Sequence, residues 1–289
     1  MSGFGFVDLS VDESADRRAR LEWTAAQRLT TRRAIERSGV QVGGICLSLH
    51  RRVMPGSADP TIRAEARKVY RQGIELAYDL GVSLVQVAGY YAYYEPARVE
   101  ARLRWLDALA WAAPIAARAG VVLGIENVDG SDIASVPDAV QAAREIGSPW
   151  VQVYPDVGNV AGHGGDAAAE LRAGAGRMAA LHVKDVLPGQ PRRVPFGEGI
   201  ADFDGAFAEL ARQKWSGRIM LEMWNDNAPD SLDRCVRARK FIANKLAAAD
   251  LKVEPAVQAI HTTESTETTL LEQERKCLTS PQLAKPSFA

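Results

Sequence analysis

Val121-Val122-Leu123-Gly124-Ile125-Glu126 is an apolar run that ends on a carboxylate. The pattern recurs three times downstream. Val151-Gln152-Val153-Tyr154-Pro155 runs into Asp156, Met178-Ala179-Ala180-Leu181 into His182, and Arg218-Ile219-Met220-Leu221 into Glu222. Each run has the length and composition of a short strand buried on both faces. The four terminal residues lie 30, 26 and 40 positions apart, the span of a strand–helix unit each time. In a (β/α)₈ barrel the C-terminal ends of the strands converge on the face that carries the active site. Four residues distant in sequence would therefore meet as a Glu/Asp/His/Glu cluster. Three carboxylates and an imidazole suit one divalent metal ion, Mn²⁺, Zn²⁺ or Co²⁺.

The rest of the chain fits that frame. Strands are expected at Phe6–Ser10, Val42–Ser48, Leu84–Ala88, Val121–Glu126, Trp150–Tyr154, Met178–Val183 and Ile219–Met223. Helices are expected at Ala25–Ser38, Thr61–Leu80, Ala97–Ala119, Pro137–Ile146, Ala167–Gly174, Phe203–Lys214 and Ser231–Ala248, several followed by the glycine that commonly ends a helix. Repeated βα units with apolar strands give a parallel sheet covered by helices. The expected fold is an α/β (β/α)₈ TIM barrel over residues 1–250, lacking its first β-strand and helix, because seven βα units are visible where eight close a barrel. An open seven-stranded barrel is the alternative. Residues 251–289, rich in Thr, Ser, Glu, Gln and Pro towards the end, are expected to form a disordered tail.

Composition narrows the function. The 289 residues are 47% hydrophobic, with a formal net charge of −1, so electrostatics give no reason to expect a nucleic-acid or membrane partner. No apolar run reaches a membrane span, and the N-terminus has no signal-peptide core. Cys46, Cys235 and Cys277 form no C-x-x-C pair, which fits a reduced, cytoplasmic protein.

Each candidate residue also has a plain structural reading. Asp156, followed by Val157-Gly158-Asn159, would alone read as a turn, and His182 as a satisfied core histidine. Glu126 and Glu222 resist that reading, because a glutamate directly after a buried apolar run needs a cation, a proton or a metal. Four such residues in successive units point to a site. Cations for an anionic substrate are available on the same face. His50, Arg51 and Arg52 follow a strand, Lys184 shares the strand side of His182, and Arg192 and Arg193 precede the loop Pro195–Gly199. Asn159 is placed to reach a hydroxyl. Asp185 is a candidate acceptor for the second nitrogen of His182. Tyr90, Tyr91, Tyr93 and Tyr94 either wall the pocket or pack into the core.

Lined up in this way, the chain resembles the L-ribulose-5-phosphate 3-epimerase (L-xylulose-5-phosphate 3-epimerase) family of the xylose-isomerase-like barrels. The segments that carry the resemblance include Ser10-Val11-Asp12-Glu13, Cys46-Leu47-Ser48-Leu49-His50-Arg51-Arg52, Gln86-Val87-Ala88-Gly89-Tyr90, Tyr154-Pro155-Asp156-Val157-Gly158-Asn159, His182-Val183-Lys184-Asp185, Val194-Pro195-Phe196-Gly197-Glu198-Gly199 and Leu221-Glu222-Met223-Trp224. The resemblance implies metal ligands at Glu126, Asp156, His182 and Glu222, and a pentulose 5-phosphate substrate bound by His50, Arg51, Asn159, Lys184 and Arg192. It implies proton transfer by Glu126 and Glu222 through a cis-enediolate, and it allows a homodimer. Two departures stand out. The opening strand–helix segment of the family is not in this sequence, and Leu49 replaces an alanine. A sugar isomerase or dehydratase of the same superfamily is the alternative activity, and an inactive truncated barrel a further one. An abasic-site endonuclease of the superfamily is disfavoured, since the chain has four histidines, His50, His163, His182 and His261.

Overall fold

The structure, a computed structural model, describes residues 3–224 and 228–253. From residue 254 onward the expected tail lies outside the described residues. In chain order the elements are β1 (Phe6–Ser10), α1 (Ala15–Arg18), α2 (Ala25–Ser38), β2 (Gln41–Cys46), α3 (Pro60–Leu80), β3 (Leu84–Ala88), α4 (Val99–Ala119), β4 (Val122–Glu126), α5 (Val136–Ile146) and β5 (Val151–Val153). They continue with α6 (Val157–Gly162), α7 (Ala167–Ala173), β6 (Leu181–Val183), β7 (Asp185–Leu187), β8 (Gln190–Val194), α8 (Phe203–Gln213), β9 (Ile219–Leu221) and α9 (Ser231–Ala248).

Local sequence explains most boundaries. Thr24 and Gln27 cap α2 reciprocally, and Ser135 and Asp138 do the same for α5. Gly39 and Gly81 close α2 and α3 in the left-handed conformation, φ 67° and 71°, which a side chain would resist. The sequence did not reveal α6, because Asp156 is its N-cap and the helix is short. Nor did it reveal the antiparallel β7–β8 hairpin, whose Pro191-Arg192-Arg193 stretch has no strand-like alternation.

Strands β1 to β5 pair in order, all parallel. β6 pairs with β9, and the parallel bridges Val153–Met178 and Asp156–His182 join the two groups. The described residues thus hold seven parallel strands of a TIM barrel, with β1 and β9 at the two ends of the sequence of pairings. Leu47, Ile74, Trp105, Leu109 and Ile125 pack between the sheet and α3–α5. Leu181, Val183, Phe203, Phe207 and Ile242 fill the same layer under α8 and α9.

The two end strands are covered least. Every residue of β3 is buried, whereas β1 and β9 have none that is, and neither does α2. Val7 on β1 is 49% exposed. Arg218, just before β9, spans this side by donating from Nη1 to the Gly43 carbonyl of β2 at 2.6 Å. Open strand edges template pairing with other chains, and an edge lysine opposes it. Val7→Lys is expected to reduce self-association measured by sedimentation velocity at matched concentrations. The change in unfolding free energy should stay within about 0.5 kcal/mol, as for other exposed sites.

Candidate active site

The strand ends deliver their polar residues to one point. Glu126 ends β4, Asp156 follows β5 as the N-cap of α6, His182 lies within β6, and Glu222 follows β9. One donor atom from each lies within 4.8 Å of the others. His182 Nδ1 is 2.6 Å from Glu126 Oε1 and 3.9 Å from Asp156 Oδ2. Glu126, Asp156 and His182 are buried, while the Glu222 side chain keeps 29% of its exposure and faces the mouth.

A second set of side chains holds Glu126 and Asp156. Gln86 on β3 donates from Nε2 to Glu126 Oε2. Asn127 accepts the Asp156 N–H at 2.7 Å and donates to the Asp156 carbonyl at 3.1 Å. Asn159 donates from its backbone N–H to Asp156 Oδ1 at 3.0 Å, and from Nδ2 to the Asn127 carbonyl at 2.8 Å. The sequence carried a signal for two of these. Gln86 interrupts the apolar strand Leu84-Val85-Gln86-Val87-Ala88, and Asn127 directly follows a buried strand; a buried amide requires a partner.

Lys184 is the site's cation. It is 4% exposed, and its Nζ lies 3.1 Å from Asp156 Oδ2, 3.0 Å from Glu222 Oε2 and 5.7 Å from the centre of the Trp224 ring. Its stem crosses Gly158, where a Cβ would come within 2.4 Å of Lys184 Cγ, so the Asp156–Asn159 turn leaves room for it. Burial works against the ammonium, but Asp156 and Glu222 outweigh that and raise its pKa. His182 follows the same logic: burial disfavours its cation, and Glu126, Glu222 and Asp156 push its pKa up to about 9. Burial raises Asp156 despite the neighbouring ammonium.

The other sequence candidates are distributed around this centre. Arg192 pairs with Asp129 at 2.8 Å, and Asp129 also accepts the Tyr90 hydroxyl. Arg51 lies 3.9 Å from Glu13 and 6.0 Å from the centre of the Tyr93 ring. Tyr90, Tyr93 and Tyr94 meet edge to face, with centroids 4.7 and 4.8 Å apart, whereas Tyr91 packs on Trp105 of the helical layer. His50 turns away from the mouth. Its Nε2 lies 3.1 Å from the Ala66 carbonyl, and its ring lies 4.0 Å from Tyr70, tilted by 41°.

Asp185 is not the acceptor for His182. Its carboxylate faces the loop after β8 and accepts the N–H groups of Val186, Gly197, Gly199 and Ala201 at 2.8–3.1 Å. Adjacent strand residues point to opposite sides, which is how Asp185 comes to face away from Lys184. Beside Glu222 a cavity of about 670 Å³ opens between Trp224, Phe196, Arg193 and Phe241.

Residues 1–248 match the family described as the xylose isomerase-like TIM barrel. L-ribulose-5-phosphate 3-epimerase UlaE of Escherichia coli O8 (strain IAI1) is 40% identical over 251 residues, 87% of this chain and 88% of that protein. UlaE of Salmonella paratyphi C (strain RKS4594) is 40% identical over 249 residues, 86% and 88% of the two chains. The chain belongs to the L-ribulose-5-phosphate 3-epimerase family. Like other members of that family it is an isomerase, of the racemase and epimerase class that acts on carbohydrates. Among solved structures, an L-ribulose 3-epimerase superposes with a TM-score of 0.73 at 19% identity, covering 98% of this chain and 90% of that one. D-psicose 3-epimerase from Clostridium cellulolyticum H10 gives 0.72 at 18% identity, over 85% and 90%. At these identities the superpositions establish the barrel. No helix among the described residues is long and apolar enough to cross a membrane.

His50 provides a pH test of this arrangement. Burial lowers its pKa to about 4, against 6.5 when unfolded. The unfolded chain therefore binds the extra proton more readily, and the neutral ring's stabilisation is complete above about pH 6.5 and lost as pH falls towards 4. The loss amounts to up to about 3 kcal/mol at 1.36 kcal/mol per pKa unit. In urea unfolding, the difference between wild type and His50→Gln is expected to shrink by that order between pH 7.5 and 4.5.

Proposed function

We propose that this chain interconverts L-ribulose 5-phosphate and L-xylulose 5-phosphate, with one divalent ion held by Glu126, Asp156, His182 and Glu222. The convergence of those four donors carries the reading. The donor set fits an ion. Asp156 Oδ2 and Glu222 Oε2 are buried with no well-formed hydrogen bond, despite their proximity to Lys184. Three carboxylates and one ammonium leave the cluster at −2 when His182 is neutral, the charge a divalent cation balances. Such an ion supplies Lewis acidity towards the ketone oxygen of the sugar.

The chemistry is then proton transfer at C3. One glutamate oxygen takes the C3 proton, and the C–H electron pair forms the C2–C3 double bond while charge moves to O2. The other glutamate, as the acid, returns a proton to C3 from the opposite face, and the electrons on O2 reform the ketone. Two bases are needed because one carboxylate does not reach both faces. Glu126 and Glu222 come from separate strands and are held differently. Glu126 is fixed by Gln86 and His182, and Glu222 lies against Lys184 at the mouth. Asn127 and Asn159 keep Asp156 in place without entering the chemistry.

Recognition of the 5-phosphate falls to cations at the rim. Arg51 and Arg192 stand there with side chains 25% and 33% exposed, both beside Tyr93. Lys184 serves the carboxylates of the centre, and buried His50 serves the packing of α3. Arg51→Ala is expected to raise KM for the phosphorylated sugar and to leave any turnover of the unphosphorylated sugar unchanged. An equal loss on both sugars would remove Arg51 from phosphate recognition.

Glu126→Gln and Glu222→Gln are each expected to lower kcat by at least about 10²-fold, the usual contribution of a positioned acid or base. Metal content must be measured alongside. In deuterated water the product should carry deuterium at C3, and each variant should lose exchange from a different epimer. Product without deuterium at C3 would sink the two-base scheme.

A further inference from the structure

Beneath the ligand cluster lies a half-buried carboxylate that the chemistry above does not use. Asp8 lies on β1 between Val7 and Leu9. Leu9 packs on the helical layer, and Val7 is the exposed residue, so Asp8 faces the lumen of the barrel. The barrel makes space for it. A Cβ on Gly44 of β2 would lie 3.0 Å from Asp8 Oδ2, and one on Gly43 would lie 2.3 Å from the Phe6 ring and 3.0 Å from Asp8 Oδ1. Neither glycine has positive φ, so both are there for room.

From the far side of the lumen Tyr154 reaches over and donates its hydroxyl to Asp8 Oδ2 at 3.4 Å. Tyr154 is fully buried, and its ring lies 4.5 Å from the His182 ring at an interplanar angle of 54°. Gly124 permits that placement, since a Cβ there would lie 3.2 Å from Tyr154 Cβ. Asp8 Oδ1 is buried and accepts nothing. Burial raises the Asp8 pKa, opposed by the charges of His182 and Arg218.

A carboxylate whose Oδ1 is buried without a well-formed partner, and whose Tyr154 bond is long, is costly, and packing alone would favour an apolar residue here. What it gains is a fixed Tyr154. Glu126 holds His182 at Nδ1, and the Tyr154 ring holds its face; the hydroxyl bond to Asp8 keeps that ring from sliding. Asp8 also places a fourth carboxylate under a cluster built for a cation. We propose that Asp8 and Tyr154 are positioning residues of the ion site, acting through the ring of His182 to raise affinity for a divalent cation. The inference rests on the reading of Glu126, Asp156, His182 and Glu222 as the ligand set.

The test uses the full chain, stripped with chelator and titrated with Co²⁺ against a competing chelator while the visible spectrum is recorded. Asp8→Asn and Tyr154→Phe are each expected to weaken Co²⁺ binding by about 10- to 100-fold, the range for partners that orient a metal-bound histidine, and to shift the Co²⁺ bands. The double variant should be no worse than the weaker single, because both act along one path. Tyr154→Phe removes only the hydroxyl and keeps the packing, so it reports even if Asp8→Asn folds poorly. Wild-type affinity and spectrum in both variants would overturn the inference, including where their thermal stability falls, since that outcome makes the pair a strut of the barrel. A wild-type chain that takes up no Co²⁺ would overturn the ligand reading itself, and this inference with it.

Discussion

Three carboxylates held within a few ångströms of each other, largely out of water, repel. Much of the barrel's upper layer is a response to that repulsion. Lys184 enters from β6 and touches two of them. His182 leans on the third, and the negative field makes its ring more basic. Backbone and amide donors take up part of what is left: the Asn159 N–H caps Asp156, and Gln86 reaches Glu126. A mutual arrangement of this kind is over-determined, so the loss of one cation leaves charges stranded instead of merely removing a contact.

The interior below obeys a packing constraint set by the same layer. Tyr154 is large for a barrel lumen, and it fits because its strand neighbour is Gly124. Lys184 reaches the centre because Gly158 has no side chain, and Asp8 because Gly43 and Gly44 have none. These glycines occupy ordinary backbone conformations, so their role is subtraction of volume. Interiors packed to crystalline density transmit such changes, and a single methyl at Gly158 would push against the Lys184 stem and backbone.

The barrel was legible in the sequence because its strands are short apolar runs and its helices end on glycine. The four strand-end residues were legible because a buried acid is conspicuous where everything before it is apolar. Direction was harder to read. Lys184 and His182 differ by two strand positions and so share a side, yet nothing local in the sequence says that the Lys184 charge is spent on Asp156 and Glu222. His50 resembled an anion donor beside Arg51 and Arg52; only the packing of α3, with Tyr70 and Ala66 brought against it, reveals a core residue. Asp185 sits one position beyond Lys184 and so faces the opposite way. The β7–β8 hairpin was hidden by its proline and arginines, and α6 by its brevity.

That reversal of Asp185 has an evolutionary side. One carboxylate takes four main-chain N–H groups of the segment from Val186 to Ala201, and Gly199 approaches so closely that a Cβ would lie 2.2 Å from Asp185 Oδ1. The loop is thus shaped through its backbone. Of the side chains it displays beside the cavity next to Glu222, Phe196 packs on Phe203 and Phe241, whereas exposed Glu198 has little part in maintaining its form. Selection can therefore exchange Glu198 without refolding the barrel. A lineage that keeps Asp185 and Gly199 retains the frame of the loop while the residue at 198 beside the cavity changes.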